Sequence, residues 1–465
     1  MTGSAAADRP DPRVDGLRAR LDGAVLAPGD AGYDEARTLF NAMVDRRPAL
    51  IAQCTSAKDV AAALGHARAE GLEVSVRGGG HGVAGTALAE GGLVVDLRRM
   101  THVEVDPQAR TARVAGGATM AHLDRACQPH GLGTTGGRVS TTGVGGFTLG
   151  GGTGWLDRAF GLACDNLVSV ELVTASGEQV VASERDNPEL FWALHGGGGN
   201  FGVATALTLR LHEVPTTTLA LLLWPPEESE AAVRATREVF EGGPDEIGGG
   251  ILWLTAPEEP FVPPELVGRL VCGAVVVHLG PEASARALLA PLLALHPAAT
   301  LVAEMPYADL QSSLDDPPGY RNYWSAEHLG SLPDEAVDAF CRLSRELLSP
   351  APAQSALFAG GGVAGRSTAG WPVPWRACPW TVHPFGLWED PADDDRVVGW
   401  TRDIRAAMRP WATGAVYLNF IGDEGADRVR AGLGEQNYQR LVGIKQAWDP
   451  DNVFRRNHNI APVPA

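Results

Sequence analysis

The sequence predicts an α+β chain of two domains, the second a layer of helices over a mainly antiparallel sheet. Three observations lead there. The chain has 465 residues, more than one simple core covers, so two domains are expected, sequential or interleaved. Up to residue 211, short apolar strands alternate with three glycine-rich blocks. Beyond Val214-Pro215, strands alternate with longer helices of apolar periodicity, and most of the aromatic residues lie there.

Composition excludes several classes. Apolar residues make up 45% and charged residues 20%, an ordinary soluble balance. The net charge is −18, so nucleic acid and anionic membrane are not expected partners. The six cysteines (Cys54, Cys127, Cys164, Cys272, Cys341, Cys378) stand far apart with no C-x-x-C pair, so no metal site is expected. They read as free thiols in a reducing cytoplasm. Residues 1–12 lack the basic patch and apolar stretch of a signal peptide and read as a disordered tail. No apolar run approaches the length of a membrane span.

Residues 34–41 read as a short helix and 50–54 as a strand. Residues 59–70 have helical periodicity, with Gly71 placed to end the helix. The strand 72–76 then runs into Arg77-Gly78-Gly79-Gly80-His81-Gly82-Val83-Ala84-Gly85. Three consecutive glycines free the backbone for positive φ and leave no Cβ between a phosphate and the amides. Arg77 adds a positive charge beside such an anion site. His81, just after the loop, can meet whatever cofactor the loop holds. Strand, glycine loop and histidine are what a flavin diphosphate site needs. The alternative is a glycine-rich turn followed by an ordinary histidine.

Residues 93–97 and 111–114 read as strands, and Thr119 as the cap of a helix over 120–130. Residues 136–155 contain nine glycines in twenty positions. Val139, Val144, Phe147, Leu149 and Trp155 make this block too apolar for a flexible spacer. It suggests close backbone approach to something large, flat and hydrogen-bonding. The third block, 194–203, follows a strand at 168–173 and feeds another at 204–211. Helices are expected over 227–240, 282–295 and 334–348, with strands at 250–254, 271–278 and 380–388. An aromatic-lined sheet here is a plausible substrate wall. The chain closes with residues 415–420, a helix over 438–448, and a tail apolar and aromatic enough to dock.

The segments 77–81, 142–152, 161–167, 196–202, 417–420 and 449–460 occur in the order seen in berberine-bridge-enzyme-like flavin oxidases. These carry a vanillyl-alcohol-oxidase, or PCMH-type, FAD-binding domain. The chain resembles this family from about residue 33 to 462, with the bacterial secondary-metabolite branch the nearest look. The resemblance implies a two-part FAD-binding domain from residues 13–214 and 415–465, with an inserted substrate domain over 215–414. It implies FAD joined through a ring nitrogen of His81 to the flavin 8α-methyl. Arg77, Gly78, Gly79, Gly80, Gly82 and Gly85 match the family's first loop. Gly137, Thr142, Gly143, Gly145, Gly146 and Gly152 match the second, and Asn166, Gly202 and Val203 the segments that follow. Tyr417, Asn419, Asn457 and Asn459 match the C-terminal positions facing the flavin. Many members make a second link from a cysteine four residues ahead of Gly143. That position is Val139 here, so a single covalent link is expected, with Cys164 a packed thiol nearby.

The implied activity is oxidation of an alcohol, sugar or polyketide-like secondary metabolite by hydride transfer to flavin N5, with reoxidation by O₂. The partners are then a small molecule and O₂, with monomer and homodimer both open. Thr142 matches a position whose size controls O₂ access, and its small side chain implies an oxidase. Oxidising an alcohol requires a base. Our alignment puts Arg366 where the family's strand carboxylate would lie, within 360–366, so Tyr417 becomes the better candidate. A free phenol has a pKa of about 10, and a cation such as Arg366 would have to lower it. Tyr417 can otherwise serve only as a hydrogen-bonding hydroxyl. His383, in mid-strand, reads as a substrate contact or proton carrier, or else as a satisfied sheet histidine. A second functional reading is an oxygenating or cyclising biosynthetic enzyme using a flavin–oxygen adduct. A third is a non-catalytic flavin-binding protein.

Overall fold

The computed structural model describes residues 12–463. The tail expected over 1–12 lies outside the described residues except for Pro12, which opens the helix Pro12–Arg18. No helix among the described residues is long and apolar enough to cross a membrane.

Two sheets form the first half. In the first, Leu50–Gln53, Leu93–Asp96 and Val74–Arg77 lie parallel in that order, with Ala24–Leu26 antiparallel on the outer edge. The helix Ala57–Glu70 carries the chain from Leu50–Gln53 to Val74–Arg77, on the far side of Leu93–Asp96. Its ends are well marked. The Ser56 hydroxyl accepts from the Asp59 amide, and Gly71 takes φ 64°, a left-handed value that glycine adopts freely. The second sheet is antiparallel, in the order Val103–Asp106, Thr111–Ala115, Val203–Arg210, Leu167–Val173, Gln179–Ser183. The first glycine block leaves the end of Val74–Arg77, and the third enters the start of Val203–Arg210.

The eight-stranded sheet that follows is antiparallel throughout. Its order is Ala299–Met305, Thr217–Trp224, Leu270–His278, Ile247–Thr255, Gln354–Ala359, Trp380–Trp388, Arg321–Trp324, and Glu327–Leu329 also pairs with Trp380–Trp388. Away from the edge strand Ala299–Met305 both faces are largely buried, and alternation along the strands divides them. On Thr217–Trp224, Ala220, Leu222 and Trp224 pack in the core that holds Phe240 and Phe340 of the covering helices Ser229–Gly242 and Asp334–Ser344. Leu219, Leu221 and Leu223 join Trp155 in the core on the other face.

Two expectations are corrected. Residues 282–295 form two short helices, Glu282–Leu288 and Ala290–Leu293, because Pro291 has no N–H to continue the first. The strand expected to carry Arg366 ends at Ala359. Gly361 and Gly362 take φ 85° and 58°, which turns the chain out of the sheet into the helix Gly362–Arg366.

The C-terminal helix Glu435–Trp448 docks through one buried ion pair. Lys445 and Asp449 are each 0% exposed and 2.6 Å apart. The Lys445 Nζ also donates to the carbonyls of Asn200 at 2.8 Å and Phe454 at 2.9 Å. Asp449 accepts from the amides of Val453 and Phe454, both at 2.8 Å. This node ties the third glycine block to the C-terminal tail. Lys445→Met leaves the Asp449 carboxylate buried without its cation. The expected loss is about 3–5 kcal/mol of folding stability, read by denaturant unfolding. A loss below about 1 kcal/mol contradicts this role.

Candidate active site

One cavity of about 940 Å³ runs between the glycine blocks and the eight-stranded sheet. One end is backbone-rich, formed by residues from the segments 78–82, 142–146, 197–202, 417–421 and 454–458. The other end is apolar, with Leu219, Leu221, Leu252, Phe358 and Phe385 from the sheet.

The glycines of the first end play two roles. Gly79 and Gly143 meet backbone to backbone. A Cβ on Gly79 would lie 2.4 Å from the Gly143 nitrogen, and one on Gly143 would lie 2.3 Å from the Gly79 nitrogen. Gly82, Gly146 and Gly199, all on the cavity wall, have nothing within 4 Å of where a Cβ would stand. The first pair joins two blocks; the second set leaves room for a flat group against bare backbone.

His81 stands on this wall, half-buried. Its ring stacks on Phe40 at 4.0 Å, and its Nε2 hydrogen-bonds the Thr141 hydroxyl at 2.6 Å. Nδ1 makes no hydrogen bond to any described residue. Burial pushes the imidazole down to about 4, so it is neutral at pH 7.

Gly78, Gly79, Gly80, Gly82, Gly137, Thr142, Gly143, Gly145, Gly146, Gly202, Asn419 and Asn457 also line the cavity. Arg77 does not, which corrects its expected place beside the anion. Its guanidinium turns beneath the loop and donates to the carbonyls of Ala36 and Thr38. Gly85 packs on Val44, Gly152 on Ala163 and Phe147, and Val203 is buried at the start of its strand. Asn166 is held by the carbonyls of Phe160 and Leu162, both at 3.0 Å, and by His212 Nε2 at 2.7 Å. Asn459 stays off the wall, its Oδ1 buried without a partner among the described residues. On the wall, the Asn457 Oδ1 is likewise buried and unpartnered.

Tyr417 reaches the cavity from the C-terminal return and is almost fully buried. Its oxygen accepts from Asn419 Nδ2 at 2.9 Å and from the Thr153 amide at 3.4 Å. Burial pushes the phenol above its ordinary range, against the lowering effect of these donors and of Arg138. The expected cation, Arg366, is elsewhere. It is 65% exposed and pairs with Asp245, outside the cavity, so neither its substrate role nor its effect on Tyr417 stands. Two arginines line the cavity, Arg138 and Arg456, and it is Arg138 whose charge acts on Tyr417.

His383 faces the cavity, stacked on Phe420 at 4.0 Å with 6° between the ring planes. Its Nδ1 donates to the Ser325 carbonyl at 3.0 Å, which leaves Nε2 as the ring's acceptor. Burial pushes it down to about 3, so it too is neutral. Val139 is on the wall, whereas Cys164 is buried behind it with Leu162, Trp375 and Tyr417. No cysteine lines the cavity.

Sequence reasoning missed Asp315 and Asp316, which lie in a loop without periodicity. Asp315 accepts from the Ser140 amide at 2.6 Å and from its hydroxyl. Asp316 lines the cavity and accepts from Gln354 Nε2 at 3.3 Å.

A backbone cradle with a histidine at its rim thus opens onto an apolar chamber. The FAD binding domain family matches residues 48–183, and the "Berberine and berberine like" family matches residues 416–461. The chain is 31% identical to (R)-6-hydroxynicotine oxidase of Paenarthrobacter nicotinovorans, over 95% of this chain and 97% of that one. It superposes on the crystal structure of 6-hydroxy-D-nicotine oxidase from Arthrobacter nicotinovorans with a TM-score of 0.83. The identity is 28%, over 95% of this chain and 98% of that one. BBE-like 1 of Physcomitrella patens shares the fold, with a TM-score of 0.85 at 22% identity over 97% and 99% of the two chains. The chain belongs to the berberine-bridge-enzyme-like family of FAD-linked oxidases and is an FAD-dependent oxidoreductase.

Burial, and then the charge of Asp315, pushes the Asp316 carboxyl up from 3.8 to about 7. A raised acid binds its proton more tightly when folded, so its stabilising effect is complete below its unfolded value and declines as pH rises from about 4 to 7. Asp316→Asn is expected to remove that decline. Its Tm should exceed that of the parent at pH 8 and approach it near pH 4.5. Parallel Tm–pH profiles contradict this.

Proposed function

We propose that this protein is an oxidase carrying FAD through a single covalent bond from His81 and oxidising an alcohol or amine carbon on a ring-bearing small molecule. The reading assigns cofactor binding to residues 13–214 and 415–465 and substrate binding to 215–414. The observation that carries it is the continuity of the cavity, which passes from open glycine backbone past His81 to the apolar sheet face.

Bound FAD supplies the two-electron acceptor and its return to O₂. The chain supplies the rest. Gly82, Gly146 and Gly199 leave a bare surface for a flat ring system and its diphosphate. With His81 Nε2 donating to Thr141, Nδ1 keeps the lone pair that a bond to carbon requires. Val139, at the position of the family's second attachment, offers no thiolate. Leu219, Leu221, Leu252 and Phe385 exclude water around the reacting carbon.

Of the two candidates for a substrate hydroxyl proton, the geometry favours His383. Its Nε2 is an acceptor at neutral pH. Tyr417 is a phenol that already receives two donors, so its own O–H is available to orient the substrate. This reverses the order drawn from sequence. With an alcohol substrate found by screening for flavin bleaching, His383→Gln should slow anaerobic flavin reduction about 100-fold or more, and Tyr417→Phe much less. Equal rates for His383→Gln and the parent exclude the histidine.

Thr142 lines the cavity beside the Gly143–Gly79 contact. Thr142→Leu is expected to slow reoxidation of the reduced enzyme by air at least tenfold, with anaerobic reduction little changed. Unaltered reoxidation contradicts a gating role. H₂O₂ should form in step with O₂ consumed. Incorporation of ¹⁸O from ¹⁸O₂ into product would instead support an oxygenating enzyme.

A further inference from the structure

Arg138 is the unusual charge of this cavity. It stands immediately before Val139 on the second glycine block and reaches across to the eight-stranded sheet. Its guanidinium carbon lies 3.9 Å from the ring centre of Phe358, on the strand Gln354–Ala359, and 5.1 Å from that of Trp155. It therefore sits on the substrate side of the chamber rather than beneath the cofactor cradle.

Its donors are largely unspent. A guanidinium has five N–H donors. Among the described residues, the one hydrogen bond it makes runs from an Nη to the Gly154 carbonyl at 3.3 Å. Its Nε is buried with no partner among the described residues. No described carboxylate lies within ion-pair distance. Asp157, whose charge acts on Arg138, directs Oδ2 to the Thr153 hydroxyl and the Gly154 amide instead. Contact with aromatic faces compensates only part of the cost of taking an arginine out of water. A half-buried cation with free donors and no ion-pair partner among the described residues, on the wall of a large chamber, suits an anionic ligand.

We propose that Arg138 binds an anionic oxygen of the substrate, carried on a flat aromatic ring system that rests against Phe358 and Phe385. The substrate class is then aromatic acids, the acidic oxygen being a carboxylate or an ionised enol or phenol. This deepens the oxidase reading and rests on its assignment of the apolar end of the cavity to substrate. The chemistry follows from the wall. A carboxylate accepts a bidentate pair from a guanidinium, and neither the leucines nor the aromatic residues nearby offer it anything. A neutral alcohol would leave the arginine uncompensated. A cationic amine would meet like charge.

The test is isothermal titration of flavin-loaded enzyme with matched probes. These are 2-naphthoate, its neutral analogue 2-naphthalenemethanol, and 2-hydroxy-1,4-naphthoquinone, an enol ionised at neutral pH. For the parent, an anionic probe should bind at least tenfold tighter than the neutral one. Whether the carboxylate or the enolate binds better identifies the oxygen donor. Arg138→Met should bring anionic and neutral probes to within about twofold, and Arg138→Lys should retain part of the preference. Equal affinities in the parent overturn the proposal. So does a preference that survives Arg138→Met, and so does the failure of both anions to bind at millimolar concentration. The parent's own contrast decides even where a variant fails to fold. Flavin content and reoxidation of dithionite-reduced enzyme, measured without substrate, report on the oxidase reading separately.

Discussion

Two glycine backbones meet where no side chain fits, and the site is arranged around that contact. Gly79 belongs to the loop that leaves the parallel sheet, and Gly143 to the turn that opens the helix Val144–Leu149. A Cβ on either would enter the other's peptide nitrogen. Their approach fixes the two blocks in one register, and His81 and Thr141 follow as neighbours two residues to either side of it. The imidazole is thereby aimed, one nitrogen held and the other free. The Lys445–Asp449 pair performs the same service for the third block, anchoring Asn200 to the tail that brings Asn457 to the wall.

The cavity joins two chemistries. At one end, backbone amides and amide side chains suit a polar, phosphorylated group. At the other, the sheet presents aliphatic and aromatic side chains, with neutral His383 among them. Strand alternation creates this second wall. On Thr217–Trp224, Ile247–Thr255 and Gln354–Ala359, residues on the face opposite the covering helices, such as Leu219, Leu221, Leu252, Ala356 and Phe358, line the chamber. Arg138 crosses between the two ends. It is carried by the second glycine block, yet it packs on Phe358 of the eight-stranded sheet. Because its charge acts on both Tyr417 and His383, a ligand that neutralises it would ease protonation of the histidine.

Much of the fold was legible where local chemistry and tertiary structure agree. The helix Ala57–Glu70 carries its own caps, and Trp380–Trp388 matches the expected strand at both ends. The glycine blocks signalled close backbone approach because the apolar residues among them rule out a flexible spacer. Thr217–Trp224 escaped notice because it is buried on both faces, so its sequence shows no alternation. The directions of side chains were harder still. Arg77 and Arg138 both flank glycine runs, but one turns under its loop and the other enters the cavity. Arg366 was misplaced because two successive positive-φ glycines divert the chain after Ala359, and composition alone does not reveal that turn.

The central claim is that the imidazole of His81 holds the flavin by a covalent bond and that no second residue does. Peptide mass spectrometry after acid precipitation and proteolysis tests it most directly. The account predicts yellow colour in the precipitated polypeptide and one FAD-bearing peptide, modified at His81 and containing no other attachment. Flavin left wholly in the supernatant, or attached through Cys164, would contradict it.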